Sequence, residues 1–405
     1  MPWFVLVSTS ILGLIYGYTG WRLIAGSRID SGLRWILWTL LIVAVCAPPA
    51  AMVTRRIEAW WAEGLAWIGF LSMGFMLFAF VFAVARDIVL IVAIVGAKLG
   101  ALAQGVFGAD RPIAPPNPER RRFLVQASNL GIVAFSGGLT GLGFWSARKT
   151  PTARHVEIRV PGLDPAFDGF RIVQMTDLHI GATVKRPFVE DVVHAVNELD
   201  PDLIAITGDL VDGSVSRLRD DVAPLRELTA PYGTFFVTGN HEYYSGVDQW
   251  VDYFRSEFGW NVLLNEHRVI EKGGAQLVVA GITDFSRRNA DNLHRSNASA
   301  AINGTPSGIP RILLAHQPMS IHAAAQSGVD VQLSGHTHGG QFFPWNLVVY
   351  LVQPYVSGLS RHENTQIYVS RGTGYWGPPL RVGAPSEITV ITLRADETVE
   401  EREDA

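Results

Sequence analysis

The chain has 405 residues, of which 33 are Lys or Arg and 37 are Asp or Glu, for a formal net charge of −4. Only 17% of the residues are charged and 48% are hydrophobic, which excludes intrinsic disorder over most of the length and disfavours a single ordinary soluble domain. The single cysteine, Cys46, excludes an internal disulfide and a zinc site built on cysteines.

The two parts of the chain differ in charge and in residue types. Residues 1–150 hold 13 basic and 6 acidic side chains, 8 of the 12 tryptophans and no histidine. Residues 151–405 hold 20 basic and 31 acidic side chains and all 11 histidines. The average composition therefore combines a basic, apolar membrane part with an acidic part that contains all the histidines.

Five apolar runs in the first part each approach the roughly 20 residues that a helix needs to cross the hydrocarbon core. We predict a multi-pass region at 1–107 with about four helices and a fifth helix at 123–147. The third and fourth runs are separated only by Arg86 and Asp87, where we predict a tight helical hairpin; one long tilted or re-entrant element is the alternative. The five runs are Trp3–Ile24, Trp35–Val53, Leu65–Ala85, Ile88–Phe107 and Phe123–Trp145.

A basic, proline-rich linker is predicted at 108–122. If the chain crosses the membrane five times and its N-terminus is cytoplasmic, the cytoplasmic loops carry more arginines than the external loops. Arg55, Arg56 and Arg111 are among these cytoplasmic arginines. Residues 120–124 (Arg-Arg-Arg-Phe-Leu) are also typical of a twin-arginine export signal, so 123–147 is either a transmembrane helix or a signal anchor. Both interpretations place the rest of this cell-membrane protein on the extracytoplasmic side.

From about His155 the sequence changes to short apolar runs that alternate with amphipathic segments, which is typical of an α/β domain. We predict ten strands, from Val156–Val160 to Ile388–Leu393, and four helices, and we place the domain at 152–394. Residues 395–405 are acidic, and we expect a disordered tail there.

Side chains of the metal-ligand type follow five of the predicted strands. The carboxyl ends of strands in an open α/β sheet converge on one crevice, so residues remote in sequence can meet there. A turn or cap would explain each motif alone, but five such strand ends together favour a metal site. The residues are Asp177, His179, Asp209, Asn240, His316, His336 and His338.

This donor set combines carboxylate, imidazole and amide oxygen without thiolate, which suits Mn, Fe, Zn or similar divalent ions. Two ions about 3.5–4 Å apart stabilise the entering and leaving oxygens of an in-line phosphoryl displacement, and they need a bridging carboxylate. Asp209 is the natural bridge. We therefore predict two divalent metal ions as cofactors and leave their identity among Mn, Fe and Zn open.

One further pattern, Gly372–Gly377, fits the Gly-x-Gly-x-x-Gly of dinucleotide sites. Pro378 and Pro379 follow it where such a site requires the start of a helix, so we interpret it as a loop. The sequence contains no Gly-x-Ser-x-Gly elbow and no P-loop, which leaves serine-hydrolase and NTPase activities without support.

The five motifs in this order resemble the signature blocks of the calcineurin-like metallophosphoesterases, and their finer pattern is similar to the membrane-anchored or multi-pass bacterial branch. The resemblance spans roughly 155–394 and implies a four-layer α/β sandwich with two mixed β-sheets flanked by helices. It implies that His241 is the catalytic acid or oxyanion-stabilising residue outside the metal shell. It also implies two ligand sets that share Asp209: Asp177, His179 and His338 for one ion, and Asn240, His316 and His336 for the other.

The resemblance further implies a membrane-anchored, metal-dependent phosphoric ester hydrolase, a phosphatase or phosphodiesterase, in which a metal-bridging hydroxide attacks phosphorus. Asp212 and Glu242 are expected to orient the ligands from behind, and Arg381 is a candidate phosphate clamp. The alternative is a non-catalytic membrane sensor or binding protein, whose expected sign would be a missing ligand. A transporter would need more ionisable residues within the apolar runs than Lys98.

The apolar segment Phe342–Val352 directly follows the last metal motif and is too short to span a membrane. We predict either an interfacial lip that admits lipid-linked substrates or a buried edge helix or strand. The expected partners are the lipid bilayer and a phosphoester substrate, with no nucleic acid, and the sequence leaves the oligomeric state unknown.

Overall fold

The computed structural model describes residues 2–27, 29–54, 60–107, 117–290 and 294–396. The chain divides into two compact units, residues 1–54 with 59–142 and residues 55–58 with 143–405. The predictions for Arg55, Arg56 and Arg111, for most of the linker and for the end of the acidic tail fall outside the described residues.

The described part of the first unit is helical, and three of its helices contain stretches long and apolar enough to cross a membrane: 31–51, 61–103 and 118–148. Their apolar side chains are largely exposed, which is typical of helices that face lipid. The helices are α1 (Pro2–Gly20), α2 (Ser31–Thr54), α3 (Trp60–Phe107) and α4 (Pro118–Arg148), and a π-helical turn (Trp21–Ala25) follows α1.

The predicted hairpin at Arg86 and Asp87 is wrong, because α3 continues through both residues as one helix of 48 residues. Neither residue breaks a helix, and both charges are satisfied by other helices. Asp87 accepts hydrogen bonds from Tyr18 and Arg22, and Arg86 donates to Asn129. Among the described residues of 1–107 there are therefore three long helices rather than about four. At 1.5 Å per residue α3 is about 72 Å long, more than twice the hydrocarbon thickness.

The last apolar helix begins earlier than predicted, so the arginines at 120–122 belong to α4 rather than to the linker. Asn117 Oδ1 accepts hydrogen bonds from the backbone N–H groups of Glu119 (2.9 Å) and Arg120 (3.2 Å). Pro118 occupies the first helical position, where its fixed φ angle suits a helix start. This N-terminal cap explains why the helix starts at residue 118, five residues before the apolar run.

The second unit contains two six-stranded mixed sheets. The strand order is β1-β12-β2-β3-β4-β5 in the first sheet and β10-β11-β9-β8-β7-β6 in the second. The strands are β1 (Thr152–Val160), β2 (Arg171–Met175), β3 (Leu203–Ile206), β4 (Thr234–Phe236), β5 (Asn261–Val262), β6 (Glu266–Lys272), β7 (Ala275–Gly281), β8 (Arg311–Leu314), β9 (Val331–Ser334), β10 (Gly358–His362), β11 (Thr365–Val369) and β12 (Glu387–Ala395).

Parallel pairing dominates the centre of both sheets. Strands β2 to β5 are parallel to one another, and so are β7, β8, β9 and β11. The antiparallel pairs are β2 with β12, β6 with β7, and β10 with β11. Because the parallel strands of each sheet point the same way, their carboxyl ends form one edge per sheet.

Successive side chains along each strand point to opposite faces of the sheet, and both faces are buried. One core lies between the sheets, where Leu203 and Phe235 share a cluster with Leu277 and Leu333. Helices cover the outer face of the first sheet around Trp250, and shorter helices cover that of the second. The predicted four-layer α/β sandwich is confirmed. Its helices are α5 (Arg186–Asn197), α6 (Val215–Val222), α7 (Asn240–Ser245), α8 (Val247–Phe258), α9 (Ala298–Ile302), α10 (Ile321–Gln326) and α11 (Trp345–Val352).

Candidate metal centre

The predicted ligands lie together at the carboxyl ends of five strands. Strands β2, β3 and β4 of the first sheet and β8 and β9 of the second each end two to four residues before them, so both sheets contribute to one crevice. The six aspartates and histidines among them fall into groups of three whose ligand atoms lie within 4.8 Å of one another. The residues that share these groups are Asp177, His179, Asp209, His316, His336 and His338.

The first group consists of Asp177, His179 and His338. His338 Nε2 lies 3.1 Å from His179 Nε2 and 3.5 Å from Asp177 Oδ1. Asp209 adjoins this group, because its Oδ2 lies 3.8 Å from His179 Nε2. Three nitrogen and oxygen donors and a neighbouring carboxylate therefore face a single point, as the coordination of one ion requires.

The second group consists of Asp209, His316 and His336. His316 Nε2 lies 3.1 Å from both Asp209 Oδ2 and His336 Nδ1. His316 Nδ1 donates to the Thr207 carbonyl (2.8 Å), which fixes the ring and leaves Nε2 available as a ligand. The Oδ1 atom of Asn240 is buried and has no hydrogen-bond partner among the described residues.

The backbone of the ligand loops is unusual. Five of the ligand candidates have φ angles between +52° and +71°, in the left-handed region that non-glycine residues rarely adopt. Such conformations persist only where the surrounding structure enforces them, and they cluster at functional sites. The five residues are Asp177, His179, Asp209, His336 and His338.

Two glycines stand where these loops touch. A Cβ atom at Gly239 would collide with the carboxylate of Asp209, and one at Gly335 would collide with the carboxylate of Asp177. The backbone of His336 also donates to both oxygens of Asp177, at 3.0 and 2.9 Å. The carboxylates are therefore held by close backbone contact, which leaves no space for a side chain at either glycine.

Burial and neighbouring charges separate the pKa values of the ligands. Burial raises the pKa of Asp177, whereas the charges on His316 and His241 outweigh burial and hold the pKa of Asp209 well below its ordinary value. Burial and the charge on His316 lower the pKa of His336 to about 3. An anionic Asp209 and a neutral His336 are the protonation states in which these groups bind a metal ion.

His241 and Asp212 form a pair beside the ligands. His241 Nδ1 forms a hydrogen bond with Asp212 Oδ1, and His241 Nε2 lies 3.9 Å from Asp209 Oδ2. Asp212 also approaches His179 Nδ1, at 3.3 Å. Burial disfavours the charged imidazole, but Asp212 and Asp209 more than compensate and raise the pKa of His241 to about 9. The structure thus places Asp212 where it can orient both His241 and His179.

Glu242 lies beneath the loop of Asp209 and is completely buried. Its carboxylate accepts backbone N–H bonds from Asp209 (3.0 Å), Leu210 (2.7 Å), Val211 (3.3 Å) and Gly239 (2.7 Å). Burial, followed by the charge of Asp209, raises the pKa of Glu242 to about 7, although the N–H donors oppose that shift. Glu242 therefore ties the loops that carry Asp209 and Asn240 together without facing the crevice.

Arg381 does not lie where a phosphate clamp would have to lie, so that prediction is wrong. It is 2% exposed, and its guanidinium donates to the carbonyls of His338, Gly374, Arg371 and Ala384 at 2.6–3.2 Å. Its Nη2 also lies 3.1 Å from His338 Nδ1. These contacts occupy its donors, and Arg381 supports His338 from behind.

Sequence reasoning missed two aromatic residues beside His241. The Tyr244 ring lies 5.4 Å and the Trp376 ring 5.6 Å from the His241 ring, measured between centroids, and both meet it edge-on. Tyr244 is 51% and Trp376 38% exposed, so both border the opening of the crevice. Trp376 lies in the glycine-rich stretch 372–377, and no motif in the sequence links that stretch to His241.

The donor set fits two divalent ions. The imidazole nitrogens of His179 and His338, and those of His316 and His336, approach to 3.1 Å, where a shared cation would satisfy both rings. The unpartnered Oδ1 of Asn240 supplies a further oxygen donor. Asp209 adjoins both groups, so its carboxylate can bridge them.

Comparisons with known proteins show what this chain is similar to. The model of the calcineurin-like phosphoesterase family matches residues 170–340. An uncharacterized metallophosphoesterase of Helicobacter pylori is 38% identical over 276 residues, which cover 68% of this chain and 72% of that protein. A transmembrane protein with metallophosphoesterase domain from Danio rerio is 40% identical over 260 residues, 62% of this chain and 59% of that protein. The solved structure of Haemophilus influenzae NAD nucleotidase covers 51% of this chain and 45% of its own, with a TM-score of 0.36 and 15% identity.

Proposed function

The chain belongs to the calcineurin-like metallophosphoesterase family, and we propose that it is a membrane-anchored hydrolase of phosphomonoesters or phosphodiesters that uses two divalent ions. The observation that carries this proposal is the position of Asp209. Its Oδ2 lies 3.1 Å from His316 Nε2 in one ligand group and 3.8 Å from His179 Nε2 in the other. A single carboxylate shared by two ligand groups is what a two-ion phosphoesterase requires.

Asp177, His179, Asp209 and His338 would hold one ion, and Asp209, Asn240, His316 and His336 the other. Bound divalent ions at such a site supply Lewis acidity to the phosphoryl oxygens and lower the pKa of water. In the net reaction the oxygen of one water bonds to phosphorus, the ester P–O bond breaks, and the departing oxygen takes a proton.

We assign the donation of that proton to His241. Asp212 holds its Nδ1, so Nε2 points toward the crevice and lies 3.9 Å from Asp209 Oδ2. From this position Nε2–H can donate to a phosphoryl or departing oxygen. Asp212 keeps the ring in that orientation, and the edges of Tyr244 and Trp376 restrict its movement.

An Asp209→Asn variant tests the proposal. In the purified full-length protein we expect this change to abolish hydrolysis of aryl phosphate monoesters and diesters with Mn, Fe or Zn, and to abolish metal loading at the same time. An Asp220→Asn variant changes an exposed carboxylate on α6 and serves as the matched control. Normal turnover with normal metal content in Asp209→Asn would refute the assignment.

We further propose that the phosphoesterase domain lies on the extracytoplasmic side of the cell membrane. The N-terminal end of α4 carries Arg120, Arg121 and Arg122, and its C-terminal end leads directly into β1. The positive-inside rule favours a cytoplasmic location for the arginine end and thus an external one for the domain. This inference depends on α4 alone and is unaffected by the change in the number of preceding helices.

Cysteine labelling tests the side of the membrane. In a Cys46→Ser background, a cysteine introduced at the exposed Asp220 should react with a membrane-impermeant maleimide in intact cells. Labelling that appears only after lysis would place the domain in the cytoplasm.

A further inference from the structure

The segment 343–352, which we name the apolar lip, presents an apolar surface to solvent in the second unit. It comprises Phe343, Pro344 and helix α11. Leu351 is 85% exposed, Leu347 53% and Trp345 44%, whereas Val349 alone is buried beneath the helix. The predicted alternative of a buried edge element is therefore wrong. No Lys, Arg, Asp or Glu occurs between residues 331 and 360, so nothing charged interrupts this surface.

The apolar lip is fixed to the loop that carries the metal ligand His338. A Cβ atom at Gly340 would come within 2.5 Å of the Cα atom of Asn346, so the first turn of α11 lies directly on the loop. The N–H of Asn346 donates to the Phe342 carbonyl (3.2 Å). The lip thus begins five residues after His338 and packs against the loop that carries this ligand.

The lip is also joined to the opening of the crevice. The side-chain amide of Gln341 donates to the carbonyls of Trp376 (3.0 Å) and Pro378 (2.9 Å), and its Oε1 accepts from the N–H of Trp376 (3.1 Å). Trp376 in turn meets the ring of His241 edge-on. An exposed aromatic residue therefore connects the apolar lip to the residue that we assign to proton donation.

The same loops contact the end of the membrane helix α4. The N–H of Arg381 donates to the Gly143 carbonyl (2.9 Å), and the N–H of Val382 donates to the Gln341 carbonyl (3.0 Å). Two residues beyond Gly143, Trp145 is 60% exposed and its ring lies 4.0 Å from Lys149 Nζ. A tryptophan with an adjacent lysine at a helix end is typical of the membrane–water interface.

We propose that the apolar lip inserts into the membrane leaflet adjoining the C-terminal end of α4, and that the metal centre acts on phosphoester headgroups of lipids in that leaflet. The connection through residues 341, 381 and 143 holds the lip near the level of the interface. Eight helical residues extend about 12 Å, too short to span the bilayer but suited to lie within its headgroup region. The substrate half of this inference rests on the proposed hydrolase function, whereas the docking half does not.

Fluorescence quenching tests the docking half on the full-length protein in nanodiscs. In a Cys46→Ser background, an environment-sensitive dye at Leu351→Cys should lose roughly half or more of its emission when the lipids carry doxyl quenchers. The same dye at Asp220→Cys, an exposed position on α6, is the matched control and should be unaffected. An unquenched Leu351 label would overturn the docking proposal, and concentration-dependent self-quenching there would indicate that a second copy covers the lip instead.

Hydrolysis tests the substrate half. Wild type and a Leu347→Ser/Leu351→Ser variant are compared on phosphatidic acid, phosphatidylglycerol and a polyprenyl pyrophosphate in vesicles, and on the soluble bis(4-nitrophenyl) phosphate. We expect hydrolysis of at least one lipid to fall about tenfold or more in the variant, with the soluble rate unchanged, because two apolar side chains no longer enter the leaflet. Leu347→Phe/Leu351→Phe should restore the lipid rate.

The outcomes separate the two proposals. Equal lipid and soluble rates in wild type and the serine variant would overturn the role of the lip while leaving the hydrolase function intact. A quenched Leu351 label together with no hydrolysis of any substrate by a metal-loaded wild type would overturn the hydrolase function and the lipid-substrate half, and the docking result would stand.

Discussion

Replacement of Glu242 by glutamine tests how the chain holds the carboxylate shared by the two ligand groups. Glu242 Oε2 accepts the N–H groups of Asp209 and Gly239, and Oε1 accepts those of Leu210 and Val211. Glutamine has almost the same shape, but one of its two terminal groups is an NH₂ that can only donate. Two backbone N–H groups would therefore lose their acceptor and face another donor.

The expected cost follows from this count. A buried donor without an acceptor costs about 1–3 kcal/mol, so two of them lower the free energy of unfolding by about 2–6 kcal/mol. That is a large share of the about 5–15 kcal/mol by which domains are stable. The matched control is Glu190→Gln on α5, where an exposed carboxylate pairs with Arg186 Nε (2.7 Å) and contributes less than about 0.5 kcal/mol.

Thermal unfolding of the purified full-length protein, measured with metal and after chelation, provides the readout. For a domain of this size a loss of 1 kcal/mol lowers Tm by about 2–4 °C, so Glu242→Gln should lower it by roughly 4–24 °C in both conditions. Metal content should fall as well, because the loops that carry Asp209 and Asn240 are no longer tied together. A Tm and a metal content equal to those of Glu190→Gln would refute the role given to the four N–H bonds.

Three further changes have distinct expected results. Gly239→Ala should reduce metal content by about half or more, because its methyl group collides with the Asp209 carboxylate; full loading by elemental analysis would contradict this close contact. His241→Asn should lower kcat for an aryl phosphodiester by about 10²–10⁴-fold with metal content unchanged, and a loss of metal would make it a ligand instead. Arg381→Lys should lower Tm and metal content without a selective rise in KM, since Arg381 supports His338. A raised KM with an unchanged Tm would instead indicate that Arg381 binds the substrate phosphate.

The positions of the candidate ligands could be predicted because the relevant information is local. Each motif follows an apolar run that forms a buried strand, and parallel strands bring their carboxyl ends to one edge whatever separates them in sequence. Asp209 and His316 are 107 residues apart, yet their side chains lie 3.1 Å from each other. The protein's strand-end motifs therefore identify the crevice, although they say nothing about what surrounds it.

The continuity of α3 could not be predicted from the local pattern. Arg86 and Asp87 interrupt an apolar run, and a charged pair within such a run is typical of a loop. Their partners Tyr18, Arg22 and Asn129 come from other helices, 43 to 69 residues away in sequence. Tertiary hydrogen bonds therefore stabilise these charges inside the helix, and no window of the sequence contains that information.

Two strands of the second sheet were missed for another reason. Strands β6 and β10 are its edge strands, and each pairs on one side only within the described sheet. Only Ile270 is buried among the seven residues of β6, so its sequence is mostly polar and charged. Edge strands of this kind gain their stability from backbone pairing with a buried neighbour, which leaves little trace in hydrophobic periodicity.

The irregular segment 371–384 contacts the candidate site, although its sequence contains no motif that predicts this. It contains no helix or strand. Backbone hydrogen bonds nevertheless join it to the loop of the first ligand group, to Gln341 and to Gly143. The N–H groups of Thr373 and Gly374 donate to the carbonyls of Thr176 and Asp177, beside the first ligand group. Arg381 supports His338, and its own N–H reaches Gly143 at the end of α4. One short segment therefore contacts both the loop of the first ligand group and Gly143, near the C-terminal end of α4, through backbone hydrogen bonds.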